Sequence, residues 1–305
     1  MLDGIIIVNK PKGCTSHDVV SKVKRIYKEK VGHTGTLDPN ATGVLPLLIG
    51  KATKLSYYLV NHDKEYDVVL QLGIKTDTAD SEGKIITKQK LNEEFVQNNL
   101  NQQNVQKVLN SFLGKQEQIP PMYSAIKVNG KKLYEYARKG ENIEIDPRQI
   151  EIYNIELLKV NLEENQIEFK VKCSKGTYVR SLCENIAEKL NTVGYMKELD
   201  RTIVGDFTIQ KSISIEKLEE NKADINFLKE HIISIEDFFK SYKQQGIEEN
   251  DIKIKNNQMS KFLNGVKLEY NLQDGLYRIY DEKNKFIGIG LVKNNLLKRE
   301  IIVEN

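Results

Sequence analysis

Apolar positions along the chain fall into distinct kinds of run. Gly4 to Asn9 (GIIIVN) and Val44 to Gly50 (VLPLLIG) are almost unbroken apolar stretches. Short continuous runs of this kind read as strands buried on both faces. Lys64 to Gly73 (KEYDVVLQLG) reads as a third strand, and IEIYNIELLKV (150–160) and QIEFKVKC (166–173) alternate as an antiparallel pair would. Helical periods lie between these runs. Val19, Val20, Val23, Ile26 and Tyr27 share one helical face behind a Thr15 or Ser16 cap, predicting a helix to about Lys30. Asn92 to Leu113 reads as one polar amphipathic helix capped by Asn92. Val179, Leu182, Ile186 and Leu190 form a stripe that starts a helix directly after SKGTY.

The pattern changes at about Ser241 to Asn257, a polar stretch that reads as a linker. Beyond it, LYRIY and FIGIGLV, separated by DEKNK, predict a small β-rich domain near the lower size limit for an independent core. The expected division is therefore 1–245 and 246–305.

Composition narrows the class. Hydrophobic residues make up 39% of 305, with 6 Pro and 19 Gly, which excludes a disordered or collagenous chain. The net charge of +3 is unevenly distributed. Residues 1–60 carry nine basic and four acidic groups, and residues 251–305 carry ten and seven. The three cysteines lack C-x-x-C spacing and the four histidines form no H-x-x-x-H pair, so neither a metal centre nor a disulfide framework is expected. No run reaches membrane-spanning length, and the N-terminus does not read as a secretory signal. A cytoplasmic location is expected.

Two familiar motifs fail on inspection. In GVLPLLIGKAT the two glycines are too far apart for a phosphate loop, and Ala52 stands where a magnesium-binding hydroxyl belongs. In TDTADSEG, alignment on Gly83 puts Thr78 and Gln89 at the two strongest calcium-ligand positions. GHTGTLDPNATG (32–43) is different. It holds three glycines, His33 and Asp38, and Pro39 keeps Asp38 out of the helical region. Glycines allow close approach of backbone to ligand. A carboxylate on such a loop can serve as a base or as a nucleophile at a sugar carbon.

With this loop the chain resembles the bacterial tRNA pseudouridine-55 synthases of the TruB type. The resemblance runs in order through GIIIVNKPKGCTSH, GHTGTLDPNATG, KEY, TDTADSEG, IPPMYSAIKVNGKKLYEYARKG, CSKGTYVRSL and LDRTIVGDF. It implies an α+β fold: a mixed, largely antiparallel sheet flanked by helices, a thumb insertion at about 123–150, and a small β-rich PUA-like domain at the end. It implies isomerisation of one T-loop uridine without metal or cofactor, by an enzyme that needs no protein partner and acts as a monomer. The family's catalytic aspartate falls on Asp38, attacking C1′ of the ribose or C6 of the uracil, and its arginine partner falls on Arg180. Tyr66 falls on the tyrosine that stacks on the target base and has been proposed to take the C5 proton. Leu199 covers the other side of the base. His33, Lys10 and Tyr178 fall at substrate-binding positions, Lys10 as a residue that orders the site.

Extracting a stacked uridine costs a few kcal/mol, to be met by phosphate and stacking contacts. The segment from Tyr123 to Lys139 is suited to this, with Lys127, Lys131, Lys132, Arg138 and Lys139 against Glu135. Two other readings fit parts of the chain: a non-catalytic tRNA-binding or folding module, and the guide-RNA-dependent relatives that share the LDP loop. The thumb-like segment favours the stand-alone type.

Overall fold

A computed structural model describes residues 2–60, 62–141, 143–242 and 250–303. The expected boundary at 245/246 lies outside the described residues.

The main sheet is built from β1 (Gly4–Lys10), β2 (Val31–His33), β3 (Thr42–Ile49), β4 (Lys64–Leu72), β5 (Gly114–Gln118), β6 (Arg148–Asn161), β7 (Gln166–Cys173) and β8 (Gly194–Val204), with α1 (Ser16–Tyr27) and α2 (Val179–Lys189) packed on it. Its order is Ile213–Ser214, β1, β3, β8, β4, β7, β6, β5, with β2 pairing β3 and Phe207–Thr208 pairing β8. Only the β1 pairing with Ile213–Ser214 and the β3–β8 pairing are parallel, so the sheet is mixed and largely antiparallel, as expected.

Burial explains the two apolar patterns. The β1 and β3 side chains are covered on both faces. Ile6, Val8, Leu45 and Leu47 meet Val19 and Val23 of α1, while Ile5, Ile7, Val44 and Leu48 meet Phe238 and Phe239. Hence the runs are continuous. In β4 only Tyr66, Val68, Leu70 and Leu72 are buried, which is the period of two. These face the stripe of α2, where Val179, Leu182, Ile186 and Leu190 are all buried in the same cluster.

Several element boundaries differ from expectation. The first helix stops at Tyr27, because Lys28 turns left-handed as its C-cap. The single helix expected over 92–113 is two, Glu93–Asn99 and Gln102–Asn110, each capped by an asparagine side chain, Asn92 and Asn101. Leu100 is buried at the corner between them. Part of GHTGTLDPNATG is strand rather than loop, since β2 ends at His33 and β3 begins at Thr42. The stretch read as a linker also contains structure, the strand Asp251–Lys253 and the start of the helix Asn256–Leu263.

The C-terminal residues form a five-stranded sheet in the order Asp251–Lys253, Gly275–Tyr280, Phe286–Lys293, Leu296–Ile302, Leu268–Glu269. One cluster is its own, built on Ile254, Phe262, Ile279 and Leu297. Leu276, Ile289 and Ile301 instead join Leu55, Leu59, Phe238 and Phe239. Its core is therefore partly shared with the rest of the chain, which relieves the size limit on so small a unit. Among the described residues no helix is long and apolar enough to cross a membrane.

Candidate active site

Asp38 lies on the loop between β2 and β3. Its carbonyl accepts from the Ala41 amide at 3.1 Å, closing a turn with Pro39 at the second position. The rest of the loop is tied down by buried polar groups. The Ser16 hydroxyl, at the start of α1, donates to the Leu37 carbonyl at 3.1 Å and accepts from the Leu37 amide at 2.8 Å. The fully buried Lys10 ammonium donates to the carbonyls of Pro11, Cys14 and Pro39 at 2.9, 2.7 and 2.9 Å. All three of its donors are thus used, and Lys10 acts beneath the loop rather than in the cavity. Burial lowers its pKa, opposed by neighbouring negative groups that include Asp38.

Arg201 of β8 reaches the other side of the same loop. Its guanidinium is 2% exposed and donates to the carbonyls of Val44 at 2.8 Å, Thr36 at 3.4 Å and Gly35 at 3.1 Å. Arg201 also stands opposite Tyr66 in the β4–β8 register. The close pairing of β3 with β8 requires Gly43, whose φ is +104° and whose absent Cβ would collide with the Arg201 carbonyl oxygen.

Arg180 stands in the first turn of α2 and is 6% exposed. Its Nε lies 3.1 Å from Asp38 Oδ2 and its Nη2 3.4 Å from Asp38 Oδ1, a side-on pair to both oxygens. The remaining donors go to the Tyr123 carbonyl at 2.9 Å, the Thr78 carbonyl at 3.3 Å and Asp80 Oδ2 at 3.4 Å. Asp80 is itself fixed by the Thr78 hydroxyl at 2.5 Å and the Glu82 amide at 3.0 Å. One cation therefore serves two carboxylates. The Asp38 carboxyl is pushed above its ordinary pKa, first by burial, with Arg180 as the main opposing influence and Asp80 adding to the rise.

A cavity of about 470 Å³ opens in front of this pair. Asp38, Tyr66, Tyr123, Tyr178, Arg180 and Leu199 are among the residues that line it. Tyr66 pairs with Arg201 and Val68 with Leu199 in the β4–β8 register. Tyr66 and Leu199 are thus diagonal neighbours on one face of the sheet, an aromatic and an aliphatic wall on the same cavity. Burial pushes the Tyr66 phenol up to about 12. Tyr178 is the N-cap residue of α2, and its backbone exchanges two hydrogen bonds with the Gln118 side-chain amide at 2.8 and 3.0 Å.

The basic segment begins at the rim. Lys127–Val128 and Lys131–Lys132 form a hairpin whose turn, Asn129–Gly130, has positive φ at both residues. The helix Leu133–Ala137 follows. The Lys132 ammonium lies 5.4 Å and the Arg138 guanidinium 5.3 Å from the centre of the Tyr134 ring, and Tyr134 lines the cavity. Lys127, Lys131 and Lys139 are exposed. The expected insertion at 123–150 overruns by three residues, since β6 begins at Arg148.

The structure thus gathers Asp38, Arg180, Tyr66, Leu199 and Tyr178 around one cavity. His33 is not in its lining. It sits on β2 with Nδ1 buried and without a hydrogen-bond partner, and burial lowers its pKa. Sequence reasoning missed Asp80, Arg201 and Gln118. The first two stand inside quoted motifs, TDTADSEG and LDRTIVGDF, and that is the signal that could have found them. Among the described residues, no group of three or more His, Cys, Asp or Glu side chains is placed to hold a metal ion.

Comparison with known proteins agrees along the chain. Residues 24–179 match the N-terminal domain of the TruB family pseudouridylate synthases. Residues 180–240 match the tRNA pseudouridylate synthase B C-terminal domain, and residues 251–300 the C-terminal model of pseudouridine synthase II TruB. The chain is 43% identical to tRNA pseudouridine synthase B of Caldanaerobacter subterraneus over 300 residues, 97% of this chain and 98% of the relative. It is 45% identical to the protein of the same name from Clostridium kluyveri over 300 residues, 96% of each. Among solved structures, a chain of a Cbf5–Nop10–Gar1 complex superposes with a TM-score of 0.66 at 24% identity, over 98% of this chain and 84% of that one, a likeness of fold. With nearly its whole length matched, the chain belongs to the TruB family of pseudouridylate synthases.

Proposed function

We propose that this enzyme isomerises uridine 55 in the T-loop of tRNA, with Asp38 as nucleophile and without a cofactor. The observation that carries the reading is the side-on Arg180–Asp38 pair at 3.1 and 3.4 Å, facing a cavity walled by Tyr66 and Leu199. The relatives named tRNA pseudouridine synthase B support tRNA as the substrate.

The uridine flips out of the T-loop into the cavity, its base between the Tyr66 ring and Leu199. Asp38 attacks C1′ of the ribose, the C1′–N1 bond breaks, and uracil departs with the electron pair. The base turns, C5 bonds to C1′ as the carboxylate leaves, the C5 proton is removed, and N1 gains a proton. Attack at C6 instead would form a base adduct at the same carboxylate. Either route needs Asp38 ionised in a site that disfavours its charge, and Arg180 supplies the compensating cation. Residues 123–150 close over the RNA, with Lys127, Lys131, Lys132, Arg138 and Lys139 on its phosphates. The C-terminal sheet, within 246–305, serves as a second RNA-binding unit on the acceptor side. The enzyme acts as a cytoplasmic monomer.

Release of tritium from tRNA labelled at uridine C5 tests the assignment. Wild-type protein releases label from a bare tRNA transcript, and Asp38→Asn does not. Equal release by Asp38→Asn overturns Asp38 as the nucleophile. A wild type that works only with a guide RNA or accessory protein overturns the stand-alone reading.

A further inference from the structure

We propose that Arg201 is a positioning residue for the isomerisation, a buried cation that locks the Asp38 loop onto the sheet beside Tyr66. The inference rests on Asp38 as nucleophile and adds a residue that has no contact with the reacting atoms.

Three features of Arg201 carry it. First, its guanidinium is 2% exposed and, among the described residues, has no carboxylate at ion-pair distance. A buried cation without an ion-pair partner is costly, and an aliphatic residue there would avoid the cost. Second, its donors fan out to different elements: Gly35 and Thr36 on the Asp38 loop and Val44 on β3. A planar fork spreads its donors over three nitrogens and reaches these separated carbonyls, whereas an ammonium holds its donors on one atom. Third, Arg201 stands opposite Tyr66 in the β4–β8 register, so the side chain that holds the loop is paired with the residue that carries the ring. Arg201 thereby sets the position of the Asp38 loop relative to the Tyr66 ring.

Arg201 also adds positive charge beside Asp38. The groups that face Asp38 are Arg180 from α2, Asp80 from the TDTADSEG turn, Lys10 from β1 and Arg201 from β8. Glu82 and Tyr66 also act on that set. Of these, Arg180, Lys10 and Arg201 favour the ionised carboxylate. Removing Arg201 therefore moves the Asp38 pKa upward.

Single-turnover rates on unmodified tRNA across pH, with tRNA affinity and thermal unfolding in parallel, test this with Arg201→Met, Arg201→Lys and Asp38→Asn. Arg201→Met is expected to lose ~100-fold in rate with tRNA affinity kept within about threefold, a misplacement effect. Its acidic limb moves to higher pH. Arg201→Lys keeps the charge and loses the fork, so its rate falls ~10-fold while the acidic limb stays at the wild-type position. A limb that fails to move in folded Arg201→Met overturns the proposal. So does an Arg201→Lys rate equal to wild type, or a loss in either variant that lies in tRNA affinity. If Arg201→Met does not fold, the Arg201→Lys outcomes decide alone. Activity in Asp38→Asn overturns the nucleophile itself, a failure separate from any result at Arg201.

Discussion

Arg180 grips both carboxylate oxygens of Asp38, at 3.1 and 3.4 Å, yet the Asp38 pKa is raised. Burial is the larger cause, and division of the cation adds to it. The same guanidinium stands 3.4 Å from Asp80, so its charge is shared between two acids while burial acts on Asp38. A carboxylate held this way is more basic than a solvated aspartate, and it remains ionised only above its raised pKa.

This sets the direction of the pH dependence. With Asp38 as the proposed nucleophile the reactive form is the carboxylate, so single-turnover rate is expected to rise with pH through a midpoint above the ordinary aspartate value. Arg180→Ala removes the main stabiliser of that form and moves the midpoint further up, besides lowering the rate at every pH. A pH–rate profile under single-turnover conditions checks both movements. A midpoint at or below the free aspartate value counts against Asp38 as the group that titrates.

The same shift makes a stability prediction. A carboxyl with a raised folded pKa binds its proton more tightly in the fold than in the unfolded chain. As pH rises through the window between the two values, its ionisation therefore costs stability. Above that window the cost is present in full. Asp38→Asn, which mimics the neutral form, is expected to unfold at the same temperature as wild type or a higher one while losing activity. Differential scanning fluorimetry at pH 7 measures this, and a clear drop in the midpoint refutes the sign.

Much of the fold was legible because its signals are local. The α2 stripe, the β4 alternation and the unbroken β1 and β3 runs each follow from which faces are covered. The division of the 92–113 helix was less legible, since the periodicity runs across it and only the burial of Leu100 and the cap at Asn101 distinguish two helices from one. The site divides in the same way. Asp38 and Arg180 stand in motifs specific enough to read, but their partnership spans 142 residues. Asp80 sat in a segment weighed for calcium and matched to the family without a role for this residue, and its use as a second acid on Arg180 depends on a turn that no spacing reveals. Arg201 looked like one more charged residue of LDRTIVG. Its complete burial follows from β8 lying between β3 and β4, a long-range pairing without a local signature.

Ser16 offers a test of the loop independent of charge. Its hydroxyl both donates to and accepts from the Leu37 backbone, one residue before Asp38. Ser16→Ala leaves a buried amide and carbonyl of Leu37 without that partner, at about 1–3 kcal/mol. The expected result is a lower unfolding midpoint and a fall in kcat larger than any change in KM, because the loop that moves carries Asp38, the proposed nucleophile. Ser16→Thr retains the hydroxyl and is expected to retain more of the rate. Steady-state kinetics on tRNA with both variants makes the comparison.

The thumb predictions concern binding rather than chemistry. Lys131, Lys132 and Arg138 lie by the Tyr136 and Tyr134 rings, and Tyr134 reaches the cavity. If these cations lie on tRNA phosphates, each one lost reduces the dependence of log affinity on log salt by about 0.7 to 0.9. A triple change of all three to Gln is therefore expected to flatten that slope by roughly two to three and to weaken binding most at low salt. At saturating tRNA the single-turnover rate stays within a fewfold of wild type, because Asp38, Arg180 and Arg201 are untouched. Affinity titrations at several KCl concentrations read the slope, and an unchanged slope removes these three residues from the RNA interface. A change confined to the rate at saturation would instead place them in the chemistry, through the Tyr134 ring that two of them flank.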